Sequence, residues 1–135
     1  MVYHDSPPSS TAAALRSRRE ARPTPLLLQY GPGDYNRLHQ DVYGAVAFPL
    51  QVVVQLSRPD EDFQGGAFLL TEQRTRMQSR GWSIPLERGD ALIFPNSARP
   101  VATPRGEARA QMRHGVSDVL EGQRTTLGLI FHDAD

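Results

Sequence analysis

The chain of 135 residues contains no cysteine and no long apolar run. Without cysteine it has neither a disulfide framework nor a thiolate ligand, so a metal would have to be bound by histidine and carboxylate side chains. No stretch has the length and apolar character of a membrane span, and the first ten residues lack the apolar core of a secretory signal. We therefore expect a cytoplasmic protein that makes no contact with a membrane.

Lysine is also missing, so all fifteen residues counted as Lys or Arg are arginines. Fifteen acidic residues balance them, and the formal net charge is zero. The chain therefore has no overall positive field that would attract nucleic acid. Each arginine still has a planar guanidinium group that can bind a carboxylate or a phosphate through two hydrogen bonds.

The length is that of one domain with a modest core. Residues 1–24 are rich in proline, serine, alanine and arginine, and we interpret them as a flexible tail. Within this tail, residues 11–22 have the composition of a short helix that begins at the capping residue Thr11. Residues 25–135 are expected to form the folded domain.

Short apolar or alternating segments fill the rest of the chain and are separated by glycine, proline and aspartate turn signals. In residues 49–56, for example, Leu50, Val52 and Val54 share one face, and Gln51 and Val53 point to the other. About eight such strands and almost no helix are predicted, at residues 26–30, 49–56, 67–70, 84–86, 91–94, 99–103, 110–116 and 125–132. This regular spacing is typical of an all-β fold of the jelly-roll type, a double-stranded β-helix like that of cupins.

Residues 71–82 are polar and rich in arginine, so they predict a long loop or an exposed hairpin. Arg74, Arg76 and Arg80, together with Trp82, have the chemistry to meet phosphates and stack on a base. A solvated loop explains the same residues equally well.

The most informative stretch is YGPGDYNRLHQD, residues 30–41. His39 and Asp41 are separated by one residue, so in an extended strand they share a face and can bind one metal ion. A third ligand must come from elsewhere, and we choose His114, because His4 lies in the tail and His132 is better explained as a surface residue. Two histidines and one carboxylate form the facial triad that is diagnostic of non-heme Fe(II) oxygenases.

A second set of polar residues lies on the last predicted strand. Arg124 and Thr126 share a face with Gly128, while the opposite face is also largely apolar, which is typical of a central strand. An arginine that points into the interior needs an anionic partner, because an unpaired buried charge is very costly. A carboxylate of a small co-substrate would satisfy Arg124, and Thr126 would donate a further hydrogen bond to it.

The chain contains the motifs Y-G-P-G-D-Y-x-x-L-H-x-D, G-G-x-F and R-H-G-V-S, with R-x-T ten residues on. With this combination of motifs the chain resembles the Fe(II)/2-oxoglutarate-dependent dioxygenases, and the resemblance covers residues 25–133. The resemblance is closest to the prolyl-4-hydroxylase-like branch and to an AlkB-like bacterial family predicted to demethylate damaged nucleic acid.

This resemblance implies that His39, Asp41 and His114 bind Fe(II). It also implies that Arg124 binds the distal carboxylate of 2-oxoglutarate, assisted by Thr126, and that Tyr30 lies near this co-substrate. O2 would be the second co-substrate, with ascorbate as a reductant. Oxidation of the substrate would be hydroxylation or oxidative demethylation.

Three functions remain open at this point. The first is an oxygenase that acts on alkylated nucleic acid, and the second is a peptidyl (prolyl-type) hydroxylase. The third is a truncated or degenerate jelly roll that binds a metal or a ligand without turnover. Retention of all three metal ligands and of Arg124 favours an active oxygenase.

Overall fold

The computed structural model describes residues 24–41 and 47–132. Every regular element in these residues is a β-strand. Eleven strands follow one another: β1 (Thr24–Tyr30), β2 (Asn36–His39), β3 (Ala47–Gln55), β4 (Phe63–Gly65), β5 (Phe68–Gln73), β6 (Arg80–Ile84), β7 (Ala91–Pro95), β8 (Ala98–Thr103), β9 (Gly106–Val116), β10 (Val119–Gly122) and β11 (Arg124–His132). The helix predicted for residues 11–22 and nearly all of the predicted tail lie outside the described residues.

The strands form two main antiparallel sheets. The first has the order β1-β11-β3-β7, and the second has the order β2-β9-β5-β6, with β8 also paired to β9. A third, two-stranded sheet joins β10 to β4. The predicted all-β, jelly-roll-like fold is confirmed, although the number of strands is eleven rather than about eight. The additional elements are short, and β4 has only three residues.

The inner faces of the two main sheets pack against each other. Phe68 of β5 and Phe94 of β7 meet edge to face, with ring centroids 5.0 Å apart, and Val53 of β3 belongs to the same buried cluster. A second cluster contains Tyr30 and Val116, together with Phe63 and Val119 of the small sheet. The first cluster thus holds β5 of the second sheet against β3 and β7 of the first, and the second cluster holds β9 against β1.

Strand β11 is central in its sheet, as predicted, because β1 pairs with one of its edges and β3 with the other. Arg124 lies opposite Tyr30, and Thr126 lies opposite both Leu28 and Gln55. Arg124 and Thr126 are buried on the inner face of the sheet.

The alternating pattern of β3 predicts one buried face but does not indicate which of the two faces it is, and the structure answers this. Gln51, Val53 and Gln55 are the buried residues, whereas Leu50 is 40% exposed. The amide of Gln55 donates to the backbone carbonyl and the hydroxyl group of Ser57, and that of Gln51 donates to Oδ1 of Asn96, so both buried amide groups have partners. The more apolar face of β3 is therefore the outer face of the sheet, where Leu27 and Ile93 are also exposed.

The region 71–82 is a hairpin, which was one of the two predictions for it. Strand β5 continues to Gln73, and β6 begins at Arg80 and forms the edge of the sheet. The strand predicted at residues 84–86 is wrong in its bounds: β6 ends at Ile84, and Pro85 lies outside the ladder because it has no N–H to donate. No helix in the described part of the chain is long and apolar enough to cross a membrane.

Candidate metal centre

Strand β2 brings His39 next to His114. The two histidines are opposite each other in the β2–β9 pair, and their ring centroids are 4.3 Å apart. This close approach depends on Gly115, because a Cβ atom there would lie 2.6 Å from the carbonyl oxygen of Asn36. A side chain at position 115 would push β2 away from β9, and His39 away from His114.

Asp41 follows the end of β2 and completes the predicted triad. Its Oδ1 atom lies 3.4 Å from Nε2 of His39, and its Oδ2 atom lies 3.1 Å from Nε2 of His114. One potential ligand atom from each residue lies within 4.8 Å of the others. The side chains of Asp41 and His114 are 12% and 9% exposed, whereas that of His39 is 32% exposed, so the group is open to solvent on the His39 side.

Contacts behind the rings fix their orientation. Nδ1 of His39 lies 2.6 Å from the carbonyl oxygen of Arg37 and donates to it, so Nε2, which faces Asp41, is the atom that a metal ion would use. The ring of His114 stacks at 12° to Phe68, with centroids 6.2 Å apart, and its centroid lies 4.8 Å from that of Phe94. Both histidines therefore present Nε2 toward the carboxylate of Asp41.

The electrostatics of the triad favour an ionised carboxylate. Burial acts to raise the pKa of Asp41, but the hydrogen bonds from His114 and His39 outweigh it and hold this pKa far below its usual value. Burial lowers the pKa of His114, and Asp41 offsets this only in part. Burial also acts to lower the pKa of His39, yet its hydrogen bonds to Asp41 and Arg37 raise it above its usual value. A neutral His114 beside a carboxylate is the ligand set that a divalent metal ion requires.

Arg124, Thr126 and Tyr30 are found together at another part of the same interior. Arg124 is only 3% exposed, and its guanidinium carbon lies 5.8 Å from the centre of the Tyr30 ring. Nε of Arg124 and Oγ1 of Thr126 are buried and have no hydrogen-bond partner among the described residues. Burial lowers the pKa of Arg124, with a partial opposing effect from Tyr30. These donors are placed to bind an anion.

A single cavity of about 320 Å³ is lined by the six predicted site residues. His39, Asp41 and His114 lie on the wall formed by the second sheet and the segment after β2, and Tyr30, Arg124 and Thr126 lie on the first sheet. Gly128 also lines the cavity and has no side chain to fill it. The structure thus brings all six residues together, and their roles in binding stay predictions.

The arginines of the 71–82 hairpin do not line this cavity. Arg74 pairs with Glu72, and Arg80 packs over the Trp82 ring at 4.8 Å. Sequence reasoning also overlooked Gln40 and Gly115, for which the motif gives no signal beyond their positions beside the ligands. Gly128 was recognised only as a residue on the same face as Arg124.

Comparison with known proteins identifies the family. The model of the Oxygenase-NA family, whose description is an oxygenase catalysing oxidative methylation of damaged DNA, matches residues 4–134. The chain belongs to this oxygenase family. The resemblance inferred from the motifs is thereby confirmed at the level of an AlkB-like oxygenase family.

Two uncharacterised proteins from strains of Mycobacterium tuberculosis are similar to this member of the oxygenase family. Each is 49% identical to it over 122 residues, which are 90% of the chain. The chain spans about half the length of these relatives, with 52% of each covered. No solved structure matches the chain.

Proposed function

We propose that the protein is an Fe(II)- and 2-oxoglutarate-dependent dioxygenase that removes alkyl groups from nucleic acid by oxidation. The observation that carries this proposal is the shared cavity: two histidines and an aspartate converge on one of its walls, and a buried arginine without an acidic partner among the described residues lies on another. An oxygenase family and this ligand set point to the same chemistry.

The donor set fits iron. His39 and His114 offer Nε2 atoms and Asp41 offers a carboxylate oxygen, the two-histidine, one-carboxylate combination that leaves further coordination positions open. The hydrogen bond from Nδ1 of His39 to the Arg37 carbonyl fixes the tautomer that metal binding needs. These three residues would hold the metal ion.

The other end of the cavity fits a dicarboxylate. Arg124 would bind the distal carboxylate of 2-oxoglutarate, and the hydroxyl group of Thr126 would donate a further hydrogen bond. This arrangement supplies partners for two buried polar groups that have none among the described residues, so binding would relieve a desolvation cost. Tyr30 packs beside the guanidinium and limits where the carboxylate can sit.

When bound, iron with 2-oxoglutarate and O2 supplies the oxidation of a substrate C–H bond. The protein's residues orient the reactants and keep bulk water out. Burial of His114 between Phe68 and Phe94 fixes one ligand, and the apolar side chains of Leu26, Leu28 and Val53 line the cavity around the co-substrate.

The chemistry of an oxygenase favours removal of a methyl group over its addition. Hydroxylation of an N-methyl carbon gives a hemiaminal, which releases formaldehyde and restores the N–H bond. One oxygen atom of O2 enters the methyl carbon, the other enters succinate, and 2-oxoglutarate loses carbon dioxide. Addition of a methyl group requires no oxidant. We therefore infer that damaged DNA is repaired here by demethylation.

Turnover of the co-substrate tests this proposal. Purified protein is mixed with Fe(II), ascorbate, O2 and 2-oxoglutarate, and succinate is measured with and without a methylated oligonucleotide. We expect slow succinate formation without the oligonucleotide, faster formation with it, and formaldehyde only in its presence. An unmethylated oligonucleotide and the His114→Ala variant are the controls. Absence of succinate together with absence of 2-oxoglutarate binding to metal-loaded protein would refute the proposal.

A further inference from the structure

We infer that Gln40 is a positioning residue that sets the separation between the ligand pair His39 and Asp41 and the third ligand, His114. This inference rests on the metal centre of the proposed function. Gln40 lies between the first two ligands in the sequence, and its side chain reaches strand β9, which carries the third.

The contacts of the Gln40 amide are unusually long-range in sequence. Its Nε2 atom lies 2.8 Å from the carbonyl oxygen of Ser97, 3.0 Å from that of Met112 and 3.0 Å from Oε1 of Gln111. The carbonyl oxygen of Ser97 also accepts from the backbone N–H of Met112. One NH2 group with two hydrogens thus serves a cluster of three oxygens between the start of β8 and the middle of β9.

Met112 lies two residues before His114 on the same strand and the same buried face. A hydrogen bond from Gln40 to Met112 therefore ties the His39–Asp41 segment directly to the backbone that carries His114. The distance from Asp41 to His114 and the approach of the His39 ring to the His114 ring are both set across this junction. A shift of the segment along β9 would change both of them together.

The backbone of β2 alone gives this segment little support. Strand β2 has four residues and only two registered pairs with β9, with an irregularity between Asn36 and His39. Asp41 lies beyond the end of the strand. The Gln40 amide thus anchors the chain at the point where the ladder has ended and a ligand still has to be held.

Two substitutions of Gln40 distinguish the effect of its N–H donors from the effect of the space that its side chain fills. Gln40→Glu keeps the shape but places a carboxylate against three oxygens, which would push the segment away from β9. Gln40→Met keeps the length and removes the donors without adding a charge. Loss of residues that orient metal ligands typically weakens metal binding by about 10- to 100-fold.

The control is Gln64→Glu, the same chemical change at a distant site. Nε2 of Gln64 donates to the carbonyl oxygen of Asp60 at 3.1 Å on an exposed strand, and Gln64 does not line the cavity. A general effect of replacing an amide by a carboxylate on this protein would appear in both variants.

The experiment measures Mn(II) affinity, the Co(II) absorption spectrum and the unfolding temperature of metal-free protein for the wild type and the three variants. We expect Gln40→Glu and Gln40→Met to bind Mn(II) at least about tenfold more weakly, and Gln64→Glu within about twofold of the wild type. The Co(II) spectrum should change only in the Gln40 variants, because it reports the geometry of the ligands.

Equal Mn(II) affinity and an unchanged Co(II) spectrum in the wild type and both Gln40 variants would overturn this inference and leave the metal centre intact. Should Gln40→Glu fail to fold, Gln40→Met decides the result. Wild-type protein that binds neither Mn(II) nor Co(II) would overturn the metal centre itself, and the role of Gln40 with it.

Discussion

Nε2 of His114 lies 3.1 Å from Oδ2 of Asp41, although one residue follows the second strand and the other lies near the end of the ninth. The carboxylate also approaches Nε2 of His39 through its other oxygen. A group of this kind holds a proton when no metal is bound, and metal binding must release it. The pH dependence of metal affinity therefore tests directly whether the triad binds the metal ion.

Mn(II) affinity should rise with pH and then level off. His39 has a raised pKa, so below that value a proton competes for the nitrogen that the metal needs. Each pH unit below it should weaken binding by about tenfold for one released proton. Calorimetric titrations between about pH 5 and 9 would measure this slope. Affinity that stays constant down to the acid end would show that no histidine of the triad binds the metal.

Arg124→Met should have two effects of opposite sign. Removing a buried guanidinium that has no described acidic partner should stabilise the ligand-free protein by about 1 to 3 kcal/mol. The same change should weaken 2-oxoglutarate binding by about 100-fold or more, because a desolvated charge pair is lost. Thermal unfolding and titration calorimetry measure the two effects.

The matched control for this variant is Arg109→Met, which changes an exposed arginine on β9. It should alter neither the unfolding temperature nor 2-oxoglutarate affinity. A destabilised Arg124→Met protein would indicate instead that Arg124 is a structural ion-pair partner.

Gly128→Val should fill the cavity without disturbing the sheet. A Cβ atom at Gly128 would have its nearest neighbours at 3.8 and 3.9 Å, in Leu26, which is ordinary contact. The added side chain would project into the cavity that Gly128 lines, so 2-oxoglutarate affinity should fall by about tenfold or more while Mn(II) affinity is retained.

Gly81→Val offers the comparison for Gly128→Val, because Gly81 lies on the edge strand β6 and has its nearest neighbour at 3.9 Å, in Thr71. The affinity of the Gly81→Val variant for 2-oxoglutarate should be that of the wild type. If both valine variants bind 2-oxoglutarate with the affinity of the wild type, the bound co-substrate does not occupy the part of the cavity that Gly128 lines.

Glu72→Gln should destabilise the protein at neutral pH more than at acid pH. Glu72 is buried and pairs with Arg74 and Arg99, and the hydrogen bond from Arg74 lowers its pKa, followed by the contribution of Arg99 against the opposing effect of burial. Because the folded-state pKa is depressed, this stabilisation is present above the unfolded-state pKa and is lost as the pH falls through the folded-state value.

We expect a difference of about 1 kcal/mol between wild type and Glu72→Gln at neutral pH, since both arginines are partly exposed. Urea unfolding at neutral pH and near pH 3 measures it. A difference that grows on acidification would contradict the assignment of an ionised Glu72 to this pair.

The sequence predicted the fold class, and the six residues that it singled out line one cavity, because both depend on local signals. Alternation and turn residues define strands, and the triad and Arg124 belong to short motifs with fixed spacing. The central position of β11 followed from its two apolar faces, and the structure confirms it.

The features that the sequence did not predict depend on which strands pair, and these strands are far apart in the sequence. The buried face of β3 carries two glutamines, because the register with β11 places Gln51 opposite Ile130 and Gln55 opposite Thr126. The short strands β4 and β10 stabilise each other across a gap of more than fifty residues, and neither has a pattern of its own. Gln40 is likewise recognisable only when Met112 is known to lie beside it.

The unequal pairing of β11 and β2 has a consequence for motion. All seven residues of β1 pair with β11, and β3 covers its other edge, whereas β2 is joined to β9 at two registered positions. Amide hydrogens that open only with the whole domain exchange slowly, and those of short, weakly paired strands exchange quickly. We therefore expect slow amide exchange in β11, which carries Arg124, and fast exchange in the β2 segment, which carries His39 and Asp41. Metal binding should then reduce deuterium uptake mainly in residues 36–41.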